Sequence, residues 1–319
     1  WVDPFDSAGN GYGGGNCDLD NAVKIGLRAK EYGLKLLVDF HYSDFWADPS
    51  KQQAPKAWQS YNMEQKQQAI YDYTYDSVTT LVDYGVEVSM VQIGNEINNG
   101  LCGETSWTNK AILLNSASSA IRQFGGIMIA VHFTNPEKSG MLNYCAKMLA
   151  ANGVDYDVFA TSYYPFWHGE LEPLKKTLTS IKKNYNKEVM IAETSYPFTF
   201  DDTDGQQNTV TDSTSPLNYE VTVQGQTKAI KAILSAMQDI KALGAFYWEP
   251  AWITVGKDKN SNKLLWEKYG SGWVSSFASE YDPNDAGKYF GGSSWDNQAL
   301  FDSDGKVLDS IKVFKEFIK

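Results

Sequence analysis

The chain predicts an α/β fold, a (β/α)8 barrel, and three observations carry that expectation. Segments with helical periodicity alternate with short apolar runs six times. The runs are apolar almost throughout, as in strands of a parallel sheet covered on both faces. Polar and aromatic residues gather where those runs end, the face on which such barrels build their sites.

"LDNAVKIGLRAKEYG" (19–33) has helical spacing and stops at Gly33, where a left-handed C-cap fits. "LKLLVDF" (34–40) follows as the first full strand. The same unit returns as "QAIYDYTYDSVTTLVDYG" before "VEVSMVQIGNE", and "KAILLNSASSAIRQFG" before "GIMIAVH". It returns again as "KSGMLNYCAKMLAANG" before "YDVFATSYYP", "ELEPLKKTLTSIKKNY" before "KEVMIAETSYP", and "QTKAIKAILSAMQDIKALG" before "AFYWEPAW". "VLDSIKVFKEFIK" (307–319) is expected to close the chain as an amphipathic helix. No linker interrupts the series, so residues 1–319 are read as one catalytic-type domain.

Six complete strands leave the count short of eight, and "WVD" at the start has the look of a strand end. The expectation is therefore a barrel whose first strand, first helix and most of its second strand are missing from this chain. A doubly wound open sheet is the rival. It calls for a glycine-rich phosphate turn after its first strand, whereas "GNGYGGGNCD" follows no complete strand and reads as a polar loop.

A net charge of −11 argues against nucleic acid as a partner. No apolar run reaches the length needed to span a membrane. Cys17, Cys102 and Cys145 are widely spaced, lack a CxxC zinc pattern, and allow at most one internal disulfide. Aromatic residues reach 14%, including 10 Trp, which suits a cleft that stacks sugar rings as well as it suits a core.

The strand ends carry Asp3, Asp39 with His41, Asn95 with Glu96, His132, Tyr163 with Tyr164, Glu193, and Trp248 with Glu249. Glu96 and Glu193 stand out because each closes an otherwise apolar or small-residue run. Hydrolysis of a glycosidic bond needs such a pair: one carboxylic acid protonates the leaving oxygen while a second carboxylate attacks the sugar carbon. The bland alternative, that each Glu merely caps a strand end, weakens when two lie three strands apart beside Trp, Tyr and His. After the second of them, "DDTDGQQN" alternates Asp202, Asp204, Gln206 and Asn208 around Gly205, an oxygen-rich spacing that suits Ca2+. Asp/Gly/Asn loops are also ordinary turns.

"DFHYSDFWADPSKQQAPKAW", "VQIGNE", "SYYPFWHG", "IAETSYPFTF" and "YWEPAWI", in this order, resemble the signature segments of family 53 glycoside hydrolases, the endo-β-1,4-galactanases. The likeness runs from Trp1 to Lys319. It implies retaining hydrolysis of β-1,4-galactan in pectic polymers, with Glu96 as acid/base and Glu193 as nucleophile. It further implies Asn95 on the sugar 2-hydroxyl, Tyr163 near the nucleophile and Trp248 beneath the sugar at the cleavage point. His41, Asp44, Trp46, Asp48 and Trp58 would shape the cleft with His132. An Arg preceding the end of the second strand, which keeps the nucleophile ionised, would lie before Trp1. For the metal the resemblance implies a structural Ca2+ completed by Ser293 and Asp296, with Gln206 where some relatives carry His. No organic cofactor is implied. A secreted monomer acting on a polysaccharide is expected. The rival functions are another retaining β-glycanase, on mannan or glucan, and a non-catalytic carbohydrate-binding barrel.

Overall fold

The computed structural model describes residues 1–214, 216–269, 275–284, 286 and 291–317. Six strands form one parallel sheet: β1 (Leu36–Phe40), β2 (Val88–Ile93), β3 (Met128–Phe133), β4 (Val158–Ser162), β5 (Glu188–Thr194) and β6 (Ala245–Tyr247). They lie side by side in chain order. The helices are α1 (Leu19–Glu31), α2 (Met63–Asp83), α3 (Trp107–Ile121), α4 (Met141–Ala151), α5 (Pro165–His168), α6 (Leu171–Tyr185), α7 (Val223–Asp239) and α8 (Lys259–Tyr269). The four-residue α5 and the 11-residue α8 lie in the loops after β4 and β6 and are not among the expected helices. The closing helix expected over 307–319 is instead a 3-10 helix, Asp309–Glu316, and residues 318–319 lie outside the described ones.

Capping chemistry fixes several helix starts. Asp18 accepts from the Asn21 amide at α1, and Ser106 from that of Asn109 at α3. At α2, Asn62 and Gln65 form a reciprocal capping box, satisfying two backbone donors that the helix itself leaves free.

Strand residues alternate between two apolar layers. Val91, Ile93, Ile129, Val131, Phe133, Phe159, Val189 and Ile191 pack outward against helix residues such as Ile70, Leu113, Leu149, Leu178 and Ile233. Met90, Ala130, Val158, Ala160 and Met190 form a smaller cluster on the opposite face. The small residues in that inner cluster suit a concave wall, where side chains converge.

The curvature can be argued from distances. A flat sheet would hold β2 and β5 about 14 Å apart and β1 and β6 about 24 Å apart. Yet carboxylate oxygens of Glu96, beyond β2, and Glu193, in β5, lie within 4.8 Å of each other. Trp46, beyond β1, meets Trp248, beyond β6, with ring centroids 5.7 Å apart. The six strands therefore curl as part of a barrel wall around one axis, an arrangement that fits the expected (β/α)8 form. Between β1 and β6 there is no ladder among the described residues; a cavity of about 350 Å3 lies there, lined by Leu36 to Phe40 on one side and by Trp248 and Glu249 on the other.

Candidate active site

Glu96 is positioned by backbone strain and a close approach. Gly94 has φ 102°, and a Cβ there would lie 2.6 Å from Ile97 Cγ2. Glu96 itself has φ 45°, a left-handed conformation that a non-glycine residue rarely adopts. The turn is tied to the end of β3: the Ile97 amide donates to His132 O (3.0 Å), and Asn98 exchanges two hydrogen bonds with the Thr134 backbone (2.8 and 2.9 Å). The Glu96 carboxylate then reaches the barrel axis, where Ser162 Oγ donates to Oε1 at 2.5 Å.

Glu193 needs a break in the sheet to reach the same place. Thr161 pairs with Ile191, but Ser162 pairs with Glu193, so one residue of β5 is extra at this point. Such a bulge re-aims the side chain that follows. Without it, strict alternation from the inward Met190 would send Glu193 toward the helices. The Tyr164 hydroxyl donates to Glu193 Oε2 at 2.8 Å.

Both carboxyls hold their protons more tightly than usual. Burial pushes Glu96 up to about 7, against a smaller downward pull from the hydrogen bonds of Ser162 and Thr134. Glu193 is raised well above its ordinary value by burial and then by the charge of Glu96. The two face each other in a low-dielectric pocket, so the pair readily carries one proton between them. Tyr164, buried against Glu193, keeps its own proton to a pH well above the usual tyrosine range.

His132 lies beneath this pair, wholly buried. Nε2 is 2.8 Å from Ser162 Oγ, and Nδ1 is 2.9 Å from Asn95 Oδ1 and 3.1 Å from Gln92 Nε2. Burial lowers its pKa to about 4, so it stays a neutral strut at ordinary pH. Both ring nitrogens are engaged, and His132 is linked to the Glu96 carboxyl through Ser162. Glu96, His132 and Glu193 form the one group of three acidic, His or Cys side chains that converges within 4.8 Å among the described residues.

The cleft above the pair, about 100 Å3, is lined by Trp46, Asp48, Asn95, Glu96, Tyr164, Trp167, Glu193, Trp248 and Trp295. His41 sets one wall from behind. Its Nδ1 accepts from the Ala47 amide (3.0 Å) and its Nε2 faces Asp39 at 3.3 Å, which fixes the loop bearing Trp46 and Asp48. Burial works to raise the Asp39 carboxyl, but His41, His132 and Gln92 together outweigh it and the net shift is downward. Asn95 donates from Nδ2 to Ala47 O at 2.8 Å and so braces the same wall.

Of the expected substrate-binding residues, His41 and His132 are buried behind the cleft lining, and three more lie elsewhere. Asp44 is fully buried, accepting from the amides of Asp3 (2.9 Å) and Lys56 (2.7 Å), and so knits loops together. Trp58 packs in the outer core against Tyr73. Tyr163 points outward, its hydroxyl on Gly169 O at 2.6 Å; Tyr164 is the tyrosine on the nucleophile. The reason is parity: Val158, Ala160 and Ser162 face the axis, so the next inward position is 164. Ser162, Trp167 and Trp295 are site residues that strand-end inspection did not single out, and it named Tyr164 without giving it the place beside the nucleophile. Counting by two from the small inner residues of β4 reaches Ser162 and then Tyr164.

The expected metal loop shows oxygen donors in a buried setting. Asp204 accepts from the Gln206 amide (2.8 Å) and, across the loops, from the Ser293 amide (2.6 Å). Asp296 Oδ2 takes hydroxyls from Thr203 and Thr254 at 2.9 and 3.2 Å. Asp296 Oδ1 and Asn208 Oδ1 are buried with no hydrogen-bond partner. Burial, and then the charge of Asp204, push Asp296 up to about 6. Asp202 is exposed and uses Oδ1 to cap the Gly205 amide at 2.7 Å. Cys17, Cys102 and Cys145 are all free thiols.

Comparison with known proteins agrees with this geometry. The chain is 52% identical over 99% of its length to an endo-beta-1,4-galactanase of Bacillus subtilis (strain 168), of which the match covers 75%. It is 32% identical over 93% of its length to an arabinogalactan endo-beta-1,4-galactanase of Cellvibrio japonicus, 76% of which is covered. The GH53 catalytic domain of Ignisphaera aggregans superposes with a TM-score of 0.86 at 36% identity, covering all of this chain and 84% of that one. Residues 1–314 match the pattern of Glycosyl hydrolase family 53. With that pattern over residues 1–314 and a glutamate pair across a curled parallel sheet in a tryptophan-lined cleft, the chain belongs to glycosyl hydrolase family 53.

Proposed function

We propose that the protein cleaves internal β-1,4-galactosidic bonds of galactan or arabinogalactan side chains of pectin, with retention, outside the cell. The observation that carries the mechanism is the approach of Glu96 and Glu193 carboxylate oxygens to within 4.8 Å. Retaining pairs stand about 5–5.5 Å apart, whereas inverting pairs leave about 6.5–9.5 Å for a water. The substrate reading rests on the galactanase relatives, and the polysaccharide reading on the tryptophans flanking the pair.

Glu96 is the acid/base. It holds its proton to about pH 7, it sits on the rigid turn after β2, and Ser162 fixes its carboxyl. Proton donation to the glycosidic oxygen leaves Glu96 as the base that activates water in the second step. Glu193 is the nucleophile: the Tyr164 hydroxyl stabilises its ionised form and aims the other oxygen into the cleft. As Glu96 gives up its proton, Glu193 loses its charge to the new glycosyl ester, so the two carboxylates are not both charged at once. No helix among the described residues is long and apolar enough to cross a membrane.

The loop donors fit a structural Ca2+. Asp204, Asp296, Asn208 and Gln206 would hold it, since two orphaned buried oxygens and two repelling carboxylates suit a hard cation. Its role would be to clamp the loop after β5 to the one carrying Trp295. The test of the function is reducing-sugar release from β-1,4-galactan, β-mannan and carboxymethylcellulose by the parent, Glu96→Gln and Glu193→Gln. Activity confined to galactan and lost in both variants supports the proposal; preference for another polymer overturns the substrate assignment.

A further inference from the structure

The geometry points to Lys110 as a positioning residue for the acid/base, its ammonium holding the backbone turn that aims Glu96. Lys110 lies in the first turn of α3 and is 1% exposed. Its Nζ donates to Ile97 O at 3.1 Å and to Asn98 O at 3.0 Å, the two carbonyls immediately after Glu96. The Trp107 ring lies beneath it, 3.7 Å from centroid to Nζ. Among the described residues no carboxylate pairs with it.

This is an expensive place for a cation. A helix N-terminus carries partial positive charge, and burial strips the ammonium of water; the Lys110 pKa falls to about 8 from burial. An apolar residue of similar length would fill the space, so packing alone does not call for lysine. The turn it grips does. Glu96 is in the left-handed region, and the Asn98 amide turns back onto Glu96 O at 2.8 Å. β3 holds this turn from one side through Asn98 and Thr134, and Lys110 holds it from α3. Releasing the α3 side lets the carbonyls reorient and swings the Glu96 carboxyl away from the leaving oxygen.

The inference rests on the reading of Glu96 as the acid/base, and the leaving group separates the two. Parent, Lys110→Met, Lys110→Arg and Glu96→Gln are compared on galactan and on two aryl β-1,4-galactobiosides, one with a phenol and one with a 2,4-dinitrophenol leaving group. The dinitrophenolate departs without a proton. Lys110→Met should lose about 10- to 100-fold in kcat on galactan and the phenyl substrate, with KM within about twofold. Its glycosylation rate on the dinitrophenyl substrate, read from the pre-steady-state burst, should match the parent's. Lys110→Arg, which keeps a cation and donors, should recover part of the loss. Equal losses on both aryl substrates, or no loss, would overturn the assignment of Lys110. If Lys110→Met does not fold by circular dichroism, Lys110→Arg carries the test through the same leaving-group dependence. If Glu96→Gln itself shows no leaving-group dependence, it is the acid/base reading that fails.

Discussion

The two flanks of the catalytic pair are built differently. On the β3–β4 side every polar group near Glu96 has a partner: Ser162 on its carboxyl, His132 on Ser162, Asn95 and Gln92 on His132. On the β1–β6 side the polar groups face a cavity. Asp39 keeps His41 but has a second oxygen without a hydrogen bond, and Glu249, at φ 50°, is held by no hydrogen bond among the described residues. The first flank fixes geometry through a connected hydrogen-bond network; on the second, His41 and its neighbours hold Asp39 down while burial alone shifts Glu249. Positioning of the acid therefore belongs to the β3–β4 side, and pH-sensitive stability is shared between Glu96 there and Glu249 across the barrel.

The largest effect should come from the pair itself. Glu193→Gln is expected to lower kcat on galactan by about 10⁴-fold or more, with azide unable to restore it by forming the retained product. Recovery of retained galactosyl azide by Glu193→Gln, rather than by an acid/base variant, would exchange the two roles.

Next in size is the donor on the nucleophile. A hydrogen bond to a charged group contributes about 1.5–3 kcal/mol, so Tyr164→Phe should lose about 10- to 100-fold in kcat, while Tyr163→Phe stays near the parent. Equal losses at both positions would contradict the parity that puts only Tyr164 on the axis.

Both flanks contribute to thermal melts against pH, and a Glu249 variant isolates the β1–β6 share. Glu96 and Glu249 are both raised to about 7 from an ordinary 4.5, in Glu249 by burial alone. A raised carboxyl favours the folded state fully below its unfolded pKa and loses that contribution as pH rises through the folded one. The Tm should therefore fall between about pH 4.5 and 7. Glu249→Gln should flatten that fall, gaining about 1–3 kcal/mol near pH 7.5 and nothing near pH 4. An unchanged Tm profile would place Glu249 in contact with water.

Calcium should give a smaller shift at the far loops. Saturation at about 100 times Kd adds about 2.7 kcal/mol, a rise of several degrees in Tm that chelation reverses. Asp204→Asn and Asp296→Asn should each abolish the response while leaving kcat on a short substrate near the parent's. A Tm indifferent to Ca2+ and chelator would argue against the ion.

Ser162→Ala should produce the mildest change. Its hydrogen bond pulls the Glu96 pKa down, so its loss raises that pKa and moves the alkaline limb of kcat/KM to higher pH. A limb that stays put would mean that Ser162 does not touch the titrating proton.

The β/α alternation, the strand ends and both glutamates were legible in the sequence because they follow from local rules. Apolar runs bury themselves, caps end helices, and a polar residue closing an apolar run lies at a sheet end. Only the tertiary structure decided which strand-end residues face the axis, because register is a relation between strands. The bulge that turns Glu193 inward exists only in the pairing of β4 with β5, and the choice of Tyr164 over Tyr163 depends on where β4 begins its alternation. Asp44 and Trp58 looked like cleft residues because their loop resembles a binding segment, yet loop side chains divide between cleft and core according to what packs beneath them. Lys110 carried no signal at all: it is one lysine on a helix until the fold places two carbonyls against it.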